Sequence, residues 1–268
     1  MQEQTSELAI QLSGTFWSRQ FTVIDYPVFN ARGVGLFSYI YHEYVTAMGA
    51  AVVQGQGLMG KQPDYLMRTT ALANTLVRGL IAVPFAADVD STNSAWHRNC
   101  SAAFFSYAAV PKYYKEWLVF GATIPPPQIV SRNLTTWFWR GKAASPFRYN
   151  TTIPAVVVGA FTNRFGCQGI VLASVSPAVQ STTVTLPPFT KMPPFKLAVA
   201  AAATRRTDAV AGGGDPGVDA NGLRATGLVL YDGKRRLVRR WSAPLPADIE
   251  VMFAPYGVLF LTPTYGKS

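Results

Sequence analysis

Three consecutive prolines, Pro125 to Pro127, divide this chain into parts of different hydrophobic period, and that division constrains the fold more than any other feature. A proline run removes backbone donors and holds the chain extended, so neither a helix nor a central strand passes through it. Ahead of it, apolar residues recur at helical spacing between short apolar runs. Behind it they come as brief β-branched and aromatic segments separated by turn residues. The boundary is set at the prolines, giving an α/β part over 1–127 and an all-β part over 128–268.

In the first part, Gly33 to Tyr41 is nearly continuous in Val, Leu, Phe, Ile and Tyr, the pattern of a buried parallel strand, and His42 and Glu43 fall at its end. From Tyr44 the pattern turns helical and breaks at Gly55-Gln56-Gly57. A helix is predicted from about Pro63 to Arg78, with proline suited to the first turn, and a second apolar run follows from Leu80 to Phe85. Strand, helix and strand of these lengths predict a βαβ crossover. Asp88 and Asp90 then hold the position after the second strand that His42 and Glu43 hold after the first. Ser94 to Gly121 reads as a long helical region interrupted at Pro111, with Tyr107, Tyr113, Tyr114, Trp117 and Phe120 as bulky core faces. Near the start, Glu3 and Glu7 lie four apart, a spacing that suits a solvated helical turn.

The second part opens with a variable stretch containing Trp137, Phe138 and Trp139. It then offers strands at Ala155–Thr162, Gly169–Val175, Ser181–Leu186, Phe195–Ala201, Thr226–Tyr231, Arg236–Trp241, Ile249–Phe253 and Val258–Thr262. Asp232-Gly233 is a tight-turn signal between two of them. Short strands at this spacing without helical pattern between them predict an antiparallel β-sandwich. Thr204 to Gly222, rich in Ala, Gly and Asp, is expected to be an inserted loop. Its Gly212-Gly213-Gly214 lacks the strand-to-helix context and the Lys-Ser/Thr pair of a phosphate cradle.

Composition narrows the function classes. With 49% hydrophobic and 14% charged residues the chain can build a large core. The net charge of +10 is carried partly by Lys234-Arg235-Arg236 and Arg239-Arg240, without a nucleic-acid-binding motif, and reads as a solvated hairpin face, so no nucleic-acid partner is expected. Apolar runs such as Ile153–Thr162 are too short for membrane insertion. The opening MQEQTSELAI shows no basic n-region and no apolar h-region of a signal peptide, while sequons at Asn99, Asn133 and Asn150 would fit a secreted protein, so localisation stays open. His42 and His97 lack ligand spacing and make no case for zinc, so neither a metal nor a cofactor is expected. Cys100 and Cys167 could pair or stand as two thiols.

The order of elements, together with FSYIYHEYVTAMG (37–49), KYYKEWLVFGATIPPP (112–127) and GIVLASVSPAVQSTTVTLPPF (169–189), resembles the C-terminal part of barrel-type glycoside hydrolases, over most of residues 1–190. The resemblance implies the end of a (β/α)8 TIM barrel followed by a C-terminal β-sandwich. A whole barrel takes about 250 residues, so the chain is expected to hold the last two or three βα units, as a truncated gene product, a fragment, or a product whose upstream half is encoded elsewhere and would then be its partner. Glycoside hydrolysis commonly uses two carboxyl groups flanking the scissile bond. The resemblance assigns these to Glu7 and Glu43, with Tyr41, His42 and Asp88 as substrate contacts and Trp17 as a sugar-stacking ring.

Read from the residues alone, each keeps a second role. Glu43 suits the N-terminus of a helix, His42 a hydrogen-bonded structural imidazole, and Asp88 and Asp90 helix capping. Two other functions stay open for the whole chain. One is a carbohydrate-binding module presenting Trp137, Phe138, Trp139 or Trp241. The other is an interaction protein binding through Arg235, Arg236, Arg239 and Arg240.

Overall fold

The computed structural model describes residues 48–50, 64–83, 94–142, 145–187, 189 and 225–265. Its first elements are β1 (Met48–Ala50), α1 (Tyr65–Val77) and β2 (Ile81–Val83), and β1 pairs with β2 in parallel, Met48 opposite Ile81 and Ala50 opposite Val83. This is one βαβ unit; a closed barrel is not present among the described residues. The strand at Met48–Ala50, hydrogen-bonded to β2, lies inside the segment expected to be helical. Gly33–Tyr41 lies outside the described residues.

Asp64 starts α1, its side chain accepting from the Leu66 amide. The end is fixed by Gly79 at φ 70: the Gly79 amide donates to Leu76 O and the Leu80 amide to Thr75 O. That pair of bonds satisfies the last carbonyls and requires the left-handed conformation glycine adopts freely. Every residue from Leu66 to Val77 is buried, because α1 touches both the parallel pair and strands of the sheet described next. Its threonines satisfy their hydroxyls on backbone carbonyls, Thr70 on Leu66 at 2.7 Å, Thr75 on Ala71 at 3.0 Å and Thr69 on Val175 at 2.9 Å.

Among the described residues three further helices follow β2, α2 (Ala95–Ala108), α3 (Val110–Tyr113) and α4 (Lys115–Leu118); the expected interruption falls at Ala109 and Tyr114, on either side of Pro111 in the first turn of α3. The strands are β3 (Ala122–Ile124), β4 (Ile129–Ser131), β5 (Asn133–Lys142), β6 (Ser145–Pro154), β7 (Val156–Thr162), β8 (Gln168–Ser174), β9 (Gln180–Thr185), β10 (Ala225–Asp232), β11 (Leu237–Ser242), β12 (Asp248–Phe253) and β13 (Val258–Tyr265). A six-stranded antiparallel sheet runs β11-β10-β13-β8-β7-β3, a three-stranded one β12-β9-β4, and β5 with β6 forms a separate ribbon. The first strand of the large sheet therefore precedes the triple proline.

The central strands of the large sheet are buried on both faces, whereas β11 at its edge is largely exposed. Along β8, Ile170 and Leu172 join Val184, Ile249, Val251 and Phe253 of the small sheet in one core, while Val171 and Ala173 join α1 and α2 in another. Strand β13 divides the same way, Leu259 and Leu261 to the first core, Val258 and Phe260 to the second. The arrangement has three layers: helices, large sheet, small sheet. Strands of the small sheet keep one wet face, and β12 alternates exposed and buried along its length.

Polar anchors tie the helices to the sheet. The Tyr107 hydroxyl donates to Ser174 O at 2.5 Å, Ser106 Oγ to Tyr256 O at 2.6 Å, and Trp117 Nε1 to Cys167 O at 3.0 Å. The Tyr114 hydroxyl donates to Asp232 O, and its ring stacks on Phe260 at 4.2 Å. Cys100 and Cys167 are not joined in a disulfide. No helix among the described residues is long and apolar enough to cross a membrane.

Candidate functional site

In a βαβ unit the helix runs back antiparallel to its strands, so the start of the helix lies at the same end as the strands' C-termini. That end is where (β/α) proteins place their chemistry. Residues 51–63 link Ala50 to Asp64 and residues 84–93 link Val83 to Ser94, so the caps of α1 and α2 mark this rim. Asp88 belongs to the second link, outside the described residues, as do Glu7, Trp17, Tyr41, His42 and Glu43. Glu43 stands five positions ahead of Met48 (48 − 43) and Asp88 five beyond Val83 (88 − 83), so the two flank the parallel pair at opposite ends in sequence.

The described part of the rim is built on Asp64. Its Oδ1 caps α1 at Leu66 N, 3.5 Å, and its Oδ2 accepts from Thr136 Oγ1 at 3.1 Å. Its own amide donates to Trp137 O at 3.1 Å, which fastens the β5–β6 ribbon to the start of the crossover helix. Both carboxylate oxygens are thus committed to structure.

Beside it, the buried Tyr256 turns into the cluster with φ 51 and donates from its hydroxyl to Asn99 Oδ1 at 2.8 Å. Burial pushes the Tyr256 phenol up, and the neighbouring Tyr65, Cys100 and Asp64 add to that. Tyr65 is also raised, by burial and then by Asp64. The sequon residue Asn99 is therefore an acceptor within a helix. His97 lies in the first turn of α2, which Ser94 caps: Ser94 Oγ lies 2.8 Å from its Nδ1 and accepts from its amide at 3.2 Å.

The alternative binding residues are partly engaged. Arg148 lies over the Trp137 ring at 4.4 Å and Arg239 over Trp241 at 4.9 Å. In the basic hairpin, Arg236 Nε bonds Asp232 Oδ2 at 2.6 Å, while Arg235 donates to Tyr113 O at 3.2 Å and faces Glu116 at 3.8 Å. These two cations serve the turn and the docking of α3 and α4. Partial burial pushes the Asp232 carboxyl up, but the Arg236 amide and guanidinium and the Lys234 amide outweigh it and hold the group below its ordinary value.

The described residues thus supply a rim with an aromatic ribbon and no uncommitted carboxylate beside Asp64. Acid–base chemistry there would come from the links and the earlier part of the chain. Sequence reasoning missed Asp64, Thr136 and Tyr256. Only Asp64 had a local signal, an acid after Pro63 at the start of an apolar periodic run.

No protein-family model matches the chain, and no curated protein does. Among solved structures it is similar to a protein provisionally named alpha-N-acetylgalactosaminidase from Bacillus halodurans C-125, at 8% identity and TM-score 0.30, covering 74% of this chain and 30% of that one. It is also similar to alpha-galactosidase I from Mortierella vinacea, at 11% identity and TM-score 0.31, covering 82% of this chain and 39% of that one. The chain thus spans well under half the length of either neighbour.

Proposed function

We propose that this chain is the end of a carbohydrate-active (β/α) domain with its β-sandwich attached, acting on a glycan at the rim where α1 and α2 begin. The observation that carries the reading is the position of α1, which belongs to a parallel crossover and is at the same time buried against an antiparallel sheet. Crossover unit and sandwich form one body in the order barrel end, then sandwich. The partition at 1–127 and 128–268 is part of the proposal, with β3 reaching across it.

Glu7 and Glu43 are the proposed carboxylates, with Tyr41, His42, Trp17 and Asp88 contacting sugar. For Asp88 the support is its link, which leaves the C-terminal end of β2. Glu43 precedes the start of β1 in sequence and is carried by the resemblance of FSYIYHEYVTAMG alone. A panel of aryl glycosides tests the proposal. Hydrolysis abolished by Glu7→Gln or Glu43→Gln supports an enzyme, glycan binding without turnover supports a non-catalytic module, and neither binding nor turnover overturns the carbohydrate reading.

A further inference from the structure

The sequons at Asn99, Asn133 and Asn150 are a feature that the proposed chemistry does not use. Each is an acceptor pattern for N-linked glycosylation. A glycan is bulky and hydrated, so a folded chain accommodates it only where the asparagine amide opens to solvent. By that criterion the three are not equivalent.

Asn99 lies within α2, and its Oδ1 accepts from the Tyr256 hydroxyl at 2.8 Å. The two residues that complete its sequon, Cys100 and Ser101, are both buried. A sugar on that amide would be wedged against Tyr256.

Asn133 opens β5 and Asn150 lies in β6, and both are exposed, as are Thr135 and Thr152, which complete their sequons. In the antiparallel register Asn133 is opposite Pro154, Thr135 opposite Thr152 and Trp137 opposite Asn150. Residues directly opposite share a face, as do residues two apart on one strand. Both asparagines and both threonines therefore stand on one side of the ribbon. Leu134, Thr136 and Ile153 stand on the other and face inward, Leu134 and Ile153 to the core on the helix side and Thr136 to Asp64. Four residues of strand separate Asn133 from Trp137, the partner of Asn150, so the two acceptors are offset by about 13 Å along the ribbon. Each has room for its own glycan.

We propose that Asn133 and Asn150 are N-glycosylated and that Asn99 is not. In the transfer, Asn Nδ2 bonds to the anomeric carbon of a lipid-linked oligosaccharide diphosphate as the bond from that carbon to the diphosphate oxygen breaks. The lipid diphosphate leaves with the electron pair, and the amide gives up one proton. The donor and its transferase are membrane components of the secretory route, so the chain enters that route. The inference goes beyond the rim chemistry and does not depend on it.

The full chain is isolated from its own cells and treated with a peptide N-glycanase in heavy-oxygen water, which removes each glycan and leaves a labelled aspartate in its place. Electrophoretic mobility is expected to rise, and peptide mapping to find the label at positions 133 and 150 and none at 99. Expressed in the same cells, Asn133→Gln and Asn150→Gln should each remove one mobility step. Thr135→Ala and Thr152→Ala should do the same while keeping the asparagines, and Asn99→Gln should remove none. Mobility unchanged by the glycanase, label at position 99, or no label at either 133 or 150 overturns the inference.

Discussion

Gly159 of β7 lies so close to Val77 at the end of α1 that a Cβ on it would stand 1.8 Å from the Val77 carbonyl oxygen. The obstacle is backbone, which no rotamer change can move aside. Gly159→Ala must push the crossover helix off the sheet, and a loss of about 3 kcal/mol is expected from overpacking at such a contact. Urea denaturation of the variant checks this, and an unchanged midpoint would contradict the docking.

The Tyr107 hydroxyl is fully buried on the Ser174 carbonyl. Tyr107→Phe keeps the ring and leaves that carbonyl without its donor, so stability should fall by about 1–3 kcal/mol. Thermal unfolding of the purified variant reads the difference.

Burial raises the phenols of Tyr107, Tyr114 and Tyr256, in each case as the largest cause. They stay protonated in the folded chain at pH values where the unfolded chain ionises. The stabilisation is therefore complete below pH about 10, the ordinary phenol value, and is lost as pH rises above it. For Tyr107 the expected slope is about 1.4 kcal/mol per pH unit, reduced in Tyr107→Phe. Denaturation midpoints between pH 9 and 11 would show it.

Asp64→Ala removes the cap of α1 and the acceptor of the Thr136 hydroxyl together, with an expected cost of about 1–2 kcal/mol. Asp64→Asn retains a capping oxygen and should cost less. Hydrogen exchange at the residue 64 amide should quicken in the alanine variant, since that amide holds the ribbon through Trp137 O.

Asp232 organises the β10–β11 turn: its Oδ1 accepts from the amides of Lys234 and Arg236, both at 2.9 Å. Its carboxyl is held low, so its contribution is present above pH about 4 and is lost as pH falls through the folded value. Asp232→Ala should cost about 1–2 kcal/mol at neutral pH and less in acid. Paired denaturation curves at pH 7 and pH 3 check the difference.

Much of the large sheet was legible because its central strands are covered on both sides. GIVLAS reads as an unbroken apolar run since Ile170 and Leu172 serve one core and Val171 and Ala173 the other. The Asp232-Gly233 turn was legible from its own chemistry. Met48–Ala50 was not, because Met, Gly and Ala have little strand preference and the segment is extended by pairing with Ile81–Val83. The β5–β6 ribbon escaped for a related reason: Trp137-Phe138-Trp139 breaks the period of two. At the rim, the bond from Asp64 to Trp137 joins positions far apart in sequence, and no local pattern reports such a contact.

The covering of the large sheet by helices has a consequence for anyone wishing to excise the all-β region. A piece beginning at Gln128 would leave behind β3, opening the β7 edge, and would strip away Tyr107, Tyr114 and Trp117, which now shield Phe161, Val171 and Phe260. The severed fragment would present a greasy flank and would clump, whereas a cut made upstream of Asp64 spares the lid.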